Sequence, residues 1–254
     1  MNHPDILLFM SDQHAPQFMG GAEIPVDTPN LDVLRREGTS FNETYTACPL
    51  CVPARMAMLS GIRPSHTGIF TNVDTLPDTQ PTFLHHLAAA GYETVLVGRM
   101  HFIGQDQRHG FTKRIAPDIT LVTWTRPEHI KAERGVFART FAGKWAPQVV
   151  GGGESPVLHY DELVIRAAEE YLTQSHEKPQ FILVGTYGPH FPYVAPPELF
   201  QKYWDRVELP VLHGQAPEAL NAYLRAHRVE ATEEVTRGVR AAYCGMVECM
   251  DGQI

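Results

Sequence analysis

Four cysteines in 254 residues are too few for a disulfide framework and read as reduced thiols. Long hydrophobic runs are missing as well. No stretch approaches the roughly 18–20 apolar residues that a membrane span needs. The chain opens MNHPDILLFMSDQH. Its apolar run, Ile6 to Met10, is too short for the hydrophobic region of a signal peptide and no small-residue cleavage site follows it. The expectation is a soluble cytoplasmic protein with no membrane partner. Positive charge is in deficit, with 21 Lys and Arg against 29 Asp and Glu and a net charge of −8. That balance argues against a nucleic-acid binder built on a broad basic face. It leaves room for a small anionic substrate, which a local cluster of Arg and His can hold. No internal repeat is visible.

What the sequence does have is enough apolar content, 43%, to fill the core of one large domain or of a domain with a small lobe. DILLFM (5–10) is a continuous apolar run ending in polar SDQH, as a strand buried on both faces reads when it opens into a loop. TPNLDVLRREG (28–38) reads as a helix with a Thr cap, Pro in the first turn and Gly38 as a stop. TFLHHLAAAGYETVLVG (82–98) reads helix, Gly91 turn, strand. YDELVIRAAEEYL (160–172) carries apolar pairs at helical spacing, and QFILVGTYG (180–188) is another buried strand ending in a loop. Residues 231–254 are helical, with Val235, Val239, Ala242, Tyr243, Met246 and Met250 in one stripe. The alternation implies an α/β fold, a mostly parallel sheet with helices on both faces. Ligands in such folds gather at the carboxyl ends of the strands. The segment 104–158, rich in Gly, Pro, Thr and Trp, reads as loops and short strands over the site entrance.

CPLCVPARMAMLSG (48–61) carries the chemistry. One reading is a redox or metal CxxC. Zinc needs about four ligands, so Cys244 and Cys249 would have to join Cys48 and Cys51. A spacing of five on a helix turns two side chains roughly 140° apart, so those thiols diverge. A thioredoxin-like CxxC would want a clear strand leading straight into it, and the strand here is weak. The other reading takes Cys51 alone. Pro53 pre-sets a first helical turn and ARMAML continues it to Gly61. Cys51 then lies at a helix N-terminus, where free N–H groups and the dipole favour negative charge. Arg55 follows one turn later on the same face. A cysteine, a helix start and an Arg form a pocket for a tetrahedral oxyanion.

CVPARMAMLSG resembles the sulfatase signature, Cys-x-Pro-x-Arg followed by a helix and a Ser/Thr-Gly end. In that family the cysteine is oxidised to formylglycine, so the resemblance implies an aldehyde hydrate at position 51. A geminal diol can attack a sulfate ester with one hydroxyl. Deprotonating the other then expels sulfate by C–O cleavage and returns the aldehyde. A cation favours the ionised diol and neutralises the ester oxygens.

Further stretches fit the same family. Asp12 and Gln13 follow the first strand, an oxygen-rich pair suited to a hard cation. Their Asp-Gln identity resembles the branch of choline-sulfatases and phosphonate monoester hydrolases. The resemblance implies that Asp12, Gln13 and residue 51 hold a divalent cation, Ca²⁺ first, with Mn²⁺ or Mg²⁺ as alternatives. GRMHFIGQDQRHGF (98–111) resembles the family's Gly-Lys-x-His loop with Arg99 in place of Lys, and is similar to the choline-sulfatase version in its ending. By that resemblance His101 is the base that takes the second hydroxyl's proton, and Arg99 clamps the sulfate. GTYGPHFPYVAPP (185–197) resembles the family's Pro-His-x-Pro segment, which makes His190 the general acid or an ester-oxygen ligand. Asn72 matches loosely a substrate-contacting Asn of the phosphonate monoester hydrolase branch. Trp124, Trp145 and Tyr187 are available for an aromatic cage around a quaternary ammonium. The remaining histidines, among them His3, His14, His66, His85, His86 and His109, read as ordinary surface or core residues.

The resemblance spans about residues 5–254 and implies an alkaline-phosphatase-like fold, with residues 1–254 as the N-terminal part of a sulfatase-type catalytic domain. Family members run longer. A later strand bearing the remaining metal ligands, and a sulfate-binding Lys, are expected beyond Ile254, so the metal site reads as half built and the sheet as incomplete at its C-terminal side. Three functions stay in play. The first is a hydrolase of sulfate monoesters, or of phosphonate or phosphate esters, that needs a formylglycine-generating enzyme. The second is a truncated, non-catalytic homologue, and the third a thiol or zinc protein using Cys48 and Cys51. A homo-oligomer is compatible with all three.

Overall fold

The computed structural model describes residues 3–119, 131–134, 150–209 and 232–254. Within them the chain divides into two compact units. The first comprises Met1–Asp12, Glu37–Thr120 and Tyr160–Tyr187; the second comprises Gln13–Arg36, Leu121–His159 and Gly188–Ile254.

Two apolar runs make the heart of the first unit. ETVLVG forms β2, Glu93–Gly98, and QFILVG forms β6, Gln180–Gly185. Their residues are buried almost throughout, as expected of parallel strands covered on both faces. They pair in parallel from Glu93↔Gln180 to Gly98↔Gly185. β1, Ile6–Met10, pairs in parallel with the other edge of β6, and the short β3, Lys113–Arg114, with β2, giving the order β1-β6-β2-β3. The all-parallel sheet agrees with the fold class read from the alternation of helices and strands. One expectation is corrected: the DILLFM strand is not buried on both faces. β1 has β6 as its only neighbour among the described strands, and Leu7 is 56% exposed.

The helices of this unit are α2, Cys51–Ser60; α3, Pro64–Thr67; α4, Phe83–Ala89; and most of α5, Pro156–Leu172. Val52, Met56 and Leu59 of α2, Leu84 of α4, Leu96 of β2 and Leu183 of β6 share one apolar cluster with Phe102, Phe111 and Phe181. Burying each such side chain contributes about 1.5–3 kcal/mol. α5 starts four residues before the helical stripe read from the sequence, because Ser155 and Pro156 make a start signal: Ser155 Oγ accepts from Leu158 N at 3.4 Å, and Pro156 occupies the first helical position. α4 opens with a capping box in which His85 stands in for the usual Glu. Thr82 N donates to His85 Nδ1 at 3.1 Å.

The second unit holds a three-stranded sheet. β4, Lys131–Arg134, lies antiparallel to β5, Gly151–Glu154, and β5 lies parallel to β7, Val194–Ala195. Two helices, α6 (Pro197–Trp204) and α7 (Glu233–Asp251), pack on each other; α6 also packs on β5, and α7 on β7. β3, β4 and β5 are the short strands expected within 104–158. Trp124 and Trp145 lie outside the described residues. α1, Pro29–Glu37, belongs here apart from its last residue. Its start differs from the sequence reading. Thr28 Oγ1 accepts from Gly20 N instead of capping the helix. The carboxylate of Asp251, from the end of α7, accepts from Asn30 N at 3.0 Å and Leu31 N at 2.8 Å. No helix among the described residues is long and apolar enough to cross a membrane.

Candidate active site

The carboxyl ends of β1 and β2 and the start of α2 bring five of the expected residues together in the first unit. Asp12 lies two residues past β1, where Thr186 N donates to Met10 O at 3.0 Å and keeps the ends of β1 and β6 in register. Gly98 closes β2 with φ +93, a conformation that favours glycine. A Cβ there would collide with Gly185 O, and one on Gly185 would collide with Arg99 O. The two glycines thus let the β2 and β6 ends touch through backbone, with Arg99 N donating to Gly185 O at 2.8 Å. Arg99 is the first residue of the loop that leaves β2.

Cys51 is the first residue of α2. Leu50 before it is extended (φ −136, ψ 145) and offers no side-chain cap. Asn72 supplies one instead, its Oδ1 accepting from Val52 N at 3.0 Å. The residue matched loosely to a substrate contact therefore completes the helix that presents residue 51, satisfying one of the orphan N–H groups of the first turn. Gly61 ends the helix in the left-handed conformation, its N–H bonded to Ala57 O at 2.9 Å.

The polar side chains meet on Asp12. Its Oδ2 accepts from Arg99 Nε at 2.6 Å and from Arg55 Nη2 at 3.3 Å. Its Oδ1 faces Cys51 Sγ at 3.8 Å. Arg55 also donates to Arg99 O at 3.1 Å and touches the sulfur atoms of Met10 and Met100. Arg99 is 1% exposed. Its Nη1 donates to Asp118 Oδ1 at 3.3 Å, its Nη2 lies 3.0 Å from His101 Nδ1, and its guanidinium carbon sits 4.2 Å over the ring of Tyr187. The Arg99 fork, expected as a sulfate clamp, is here spread over Asp12, Asp118 and His101. It also withdraws Tyr187 from an aromatic cage, because that buried ring is already covered by Arg99.

Asp118 was not singled out in the sequence. It sits in a Pro-Asp turn 17 residues after His101, and no spacing rule marks it. Its Oδ2 accepts from the backbone N–H of His101 at 2.7 Å, where His101 has φ +56. Tyr160 of α5 donates to Pro117 O at 2.9 Å and so fixes the segment that carries Asp118. Asp161, next to it on α5, accepts from Tyr187 N at 2.6 Å.

The balance of charge is close to even, with two guanidinium groups against two carboxylates. Buried ions need that pairing. Burial, then the positive charge of Arg99, pushes the His101 imidazole down to about 4, so the ring is neutral at ordinary pH. Burial and the Asp12 carboxylate push the Cys51 thiol up, against the opposing pull of Arg99 and Arg55. A thiol raised in this way is a weak nucleophile and a poor redox centre. All four cysteines are free of disulfides.

Gln13 and His190 belong to the second unit, whose boundary falls between Asp12 and Gln13. Gln13 has φ +60, and its carbonyl accepts from Tyr243 OH of α7. His190 is half-buried, its Nδ1 2.9 Å from Phe191 O and its ring 4.1 Å from that of Phe191. As for a divalent cation, the first unit contributes Asp12 Oδ1 and the side chain of residue 51. A carboxylate oxygen and a side chain that oxidation would turn into an oxygen donor are the right chemistry for a hard ion, but two donors are fewer than Ca²⁺ takes.

Known proteins share this arrangement of sequence and fold. The sulfatase family model matches residues 4–254. A choline-sulfatase of Rhizobium meliloti is 32% identical over 277 residues, covering 99% of this chain and 52% of the relative. An arylsulfatase of Clostridium perfringens is 25% identical, covering 99% of this chain and 58% of the relative. Among solved structures, the phosphonate monoester hydrolase of Silicibacter pomeroyi superposes with a TM-score of 0.76 at 18% identity, covering 99% of this chain and 57% of that one. The enzyme of the same name from Agrobacterium radiobacter gives a TM-score of 0.72 at 20% identity, with the same coverage. These structural likenesses speak to the fold, which is the alkaline-phosphatase-like one. The chain spans about half the length of the relatives it matches. Both the family match and the order of strand, Cys-x-Pro-x-Arg helix and Gly-Arg-x-His loop lead to one conclusion: this chain belongs to the sulfatase family.

Proposed function

We propose that the protein this chain belongs to hydrolyses sulfate monoesters at residue 51, with Cys51 oxidised to formylglycine by a formylglycine-generating enzyme and a divalent cation, Ca²⁺ first, bound beside it. The observation that carries the reading is the placement of Cys51 at the start of α2, facing Asp12 Oδ1, while Arg55 and Arg99 hold Asp12 Oδ2. A formylglycine hydrate there would supply a hydroxyl nucleophile and an internal route for releasing sulfate. Asp12 and residue 51 would hold the cation, which would supply positive charge for the ester oxygens.

The chain's own residues do the rest. The dipole at the start of α2 and the buried guanidinium groups of Arg55 and Arg99 provide a field in which negative charge on a tetrahedral sulfuryl group is favoured. They are fixed before substrate arrives, so little reorganisation is needed when that charge develops. His101 is neutral at ordinary pH and lies within the same buried network, where a ring nitrogen can serve proton traffic. His190 remains the candidate proton donor to the leaving oxygen. The raised Cys51 thiol weighs against the thiol-redox alternative.

The identity with a choline-sulfatase makes small alkyl sulfates the first substrates to try. The test is a panel of choline sulfate, 4-nitrophenyl sulfate and a phenyl phosphonate monoester, run with and without Ca²⁺ on protein co-produced with a formylglycine-generating enzyme. Sulfate esters are expected to give the highest kcat/KM, and Cys51→Ala to abolish turnover. A preference for the phosphonate ester moves the function to the neighbouring activity. Absence of turnover with every ester, despite conversion of Cys51, contradicts the hydrolase reading.

A further inference from the structure

Asp118 lies outside the residues that carry the family resemblance, yet it touches both ends of the Gly-Arg-x-His loop. One of its oxygens takes the Arg99 Nη1 hydrogen at 3.3 Å; the other takes the backbone N–H of His101 at 2.7 Å. Tyr160, through Pro117 O, ties the Asp118 segment to α5. Arg99 is thereby stretched between Asp12 on one side and Asp118 on the other, with its flat face on Tyr187. In that pose Nη2 is 3.0 Å from His101 Nδ1. A guanidinium can only donate, so Nδ1 must accept, and the single ring hydrogen of the neutral imidazole must be on Nε2.

We propose that Asp118 is a positioning residue which, through Arg99 and the His101 backbone, holds His101 in its Nε2–H tautomer, so that the ring meets substrate as a hydrogen-bond donor. The inference deepens the reading of this site as a sulfate-ester hydrolase, and rests on it for the consequence but not for the tautomer. Its consequence is a change in the expected role of His101. A base must offer a lone pair, and here the lone pair on Nδ1 is already taken by Arg99. The ring instead presents N–H to an oxygen of the ester or of the leaving group. Arg99 itself explains why the device exists in this chain. An ammonium in its place is a single point with three hydrogens and no flat fork, and could not span Asp12, Asp118 and His101 while lying on Tyr187.

Two measurements test it on the full chain. The first is a ¹H–¹⁵N correlation spectrum tuned to the long-range couplings of imidazole, with the His101 signals assigned by their loss in His101→Gln. The wild type should show the Nε2–H pattern alone, and both Asp118→Asn and Arg99→Lys should show a mixture of tautomers. The second is kinetics on 4-nitrophenyl sulfate with formylglycine-loaded protein. Asp118→Asn should lower kcat by about 10- to 100-fold, the usual cost of losing a group that orients another, with KM changed much less. Mass spectrometry should find conversion of Cys51 unaltered. An Nδ1–H signal for His101 in the wild type overturns the proposal, as does an unaltered tautomer in both variants. A wild type inactive on every sulfate ester would sink the hydrolase reading alone, since the tautomer is read without turnover.

Discussion

A carboxylate held by two guanidinium groups lies buried in this protein of net charge −8. Asp12 accepts from both Arg55 and Arg99 on one oxygen and leaves the other towards residue 51. The cost of desolvating these ions is met by their mutual pairing, with Asp118 as the second counter-charge. The same crowding leaves a measurable trace in His101. Its pKa falls from 6.5 to about 4 in the folded chain, through burial first and Arg99 next. Between those values the unfolded chain binds a proton that the folded chain refuses, so this group makes stability rise with pH from about 4 to 6.5 and adds no slope above. Replacing His101 by Gln should flatten that part of the stability–pH curve, measured by urea denaturation at stepped pH. A variant that kept the wild-type slope would show that His101 is not the buried neutral group described here. At this scale the sequence revealed Cys51, Arg55, Arg99, His101 and Asp12 through their motifs, and hid Asp118. Its partnership depends on a turn held by Tyr160, and turns of this kind leave no periodic signal.

Among the elements, the apolar runs of β2 and β6 and the stripes of α5 and α7 were legible, because burial and helical period write themselves into composition. The helix caps were not. α1 has Thr28 in the cap position, but that hydroxyl serves Gly20, and Asp251 reaches α1 from the end of α7. A long-range cap of this sort has no local signature. Since the Asp251 carboxylate is buried and satisfies two N–H groups of the first turn, Asp251→Ala should cost about 2 kcal/mol, at the upper end for loss of a cap. Equilibrium denaturation would read it, and a loss below about 0.5 kcal/mol would mean that water or Thr28 replaces the carboxylate. The misreading of β1 has a related cause. ILLFM is as apolar as a central strand, but among the described strands it has β6 as its only neighbour, with Leu7 56% exposed, and that is a property of topology and not of the strand itself.

At the scale of the whole molecule, the sulfatase family and the alkaline-phosphatase-like fold follow from a match over nearly all of this chain. The relatives are about twice as long. The two units divide the expected site residues between them, with Asp12, Cys51, Arg55, Asn72, Arg99 and His101 in one and Gln13 and His190 in the other. In the first group an unmodified cysteine would be ill suited to the proposed hydrolysis. Its thiol is pushed up by burial and by Asp12, the wrong direction for a thiolate nucleophile. An aldehyde at the same atom needs no such ionisation, and its hydrate brings oxygen to a place lined by a carboxylate and two guanidinium groups.

The most direct measurement is therefore a tandem mass spectrum of the tryptic peptide 37–55, EGTSFNETYTACPLCVPAR, from protein co-produced with a formylglycine-generating enzyme. The account predicts that residue 51, and not Cys48, has lost one sulfur and two hydrogens and gained one oxygen. An intact thiol at position 51 in protein that still cleaves sulfate esters would contradict it.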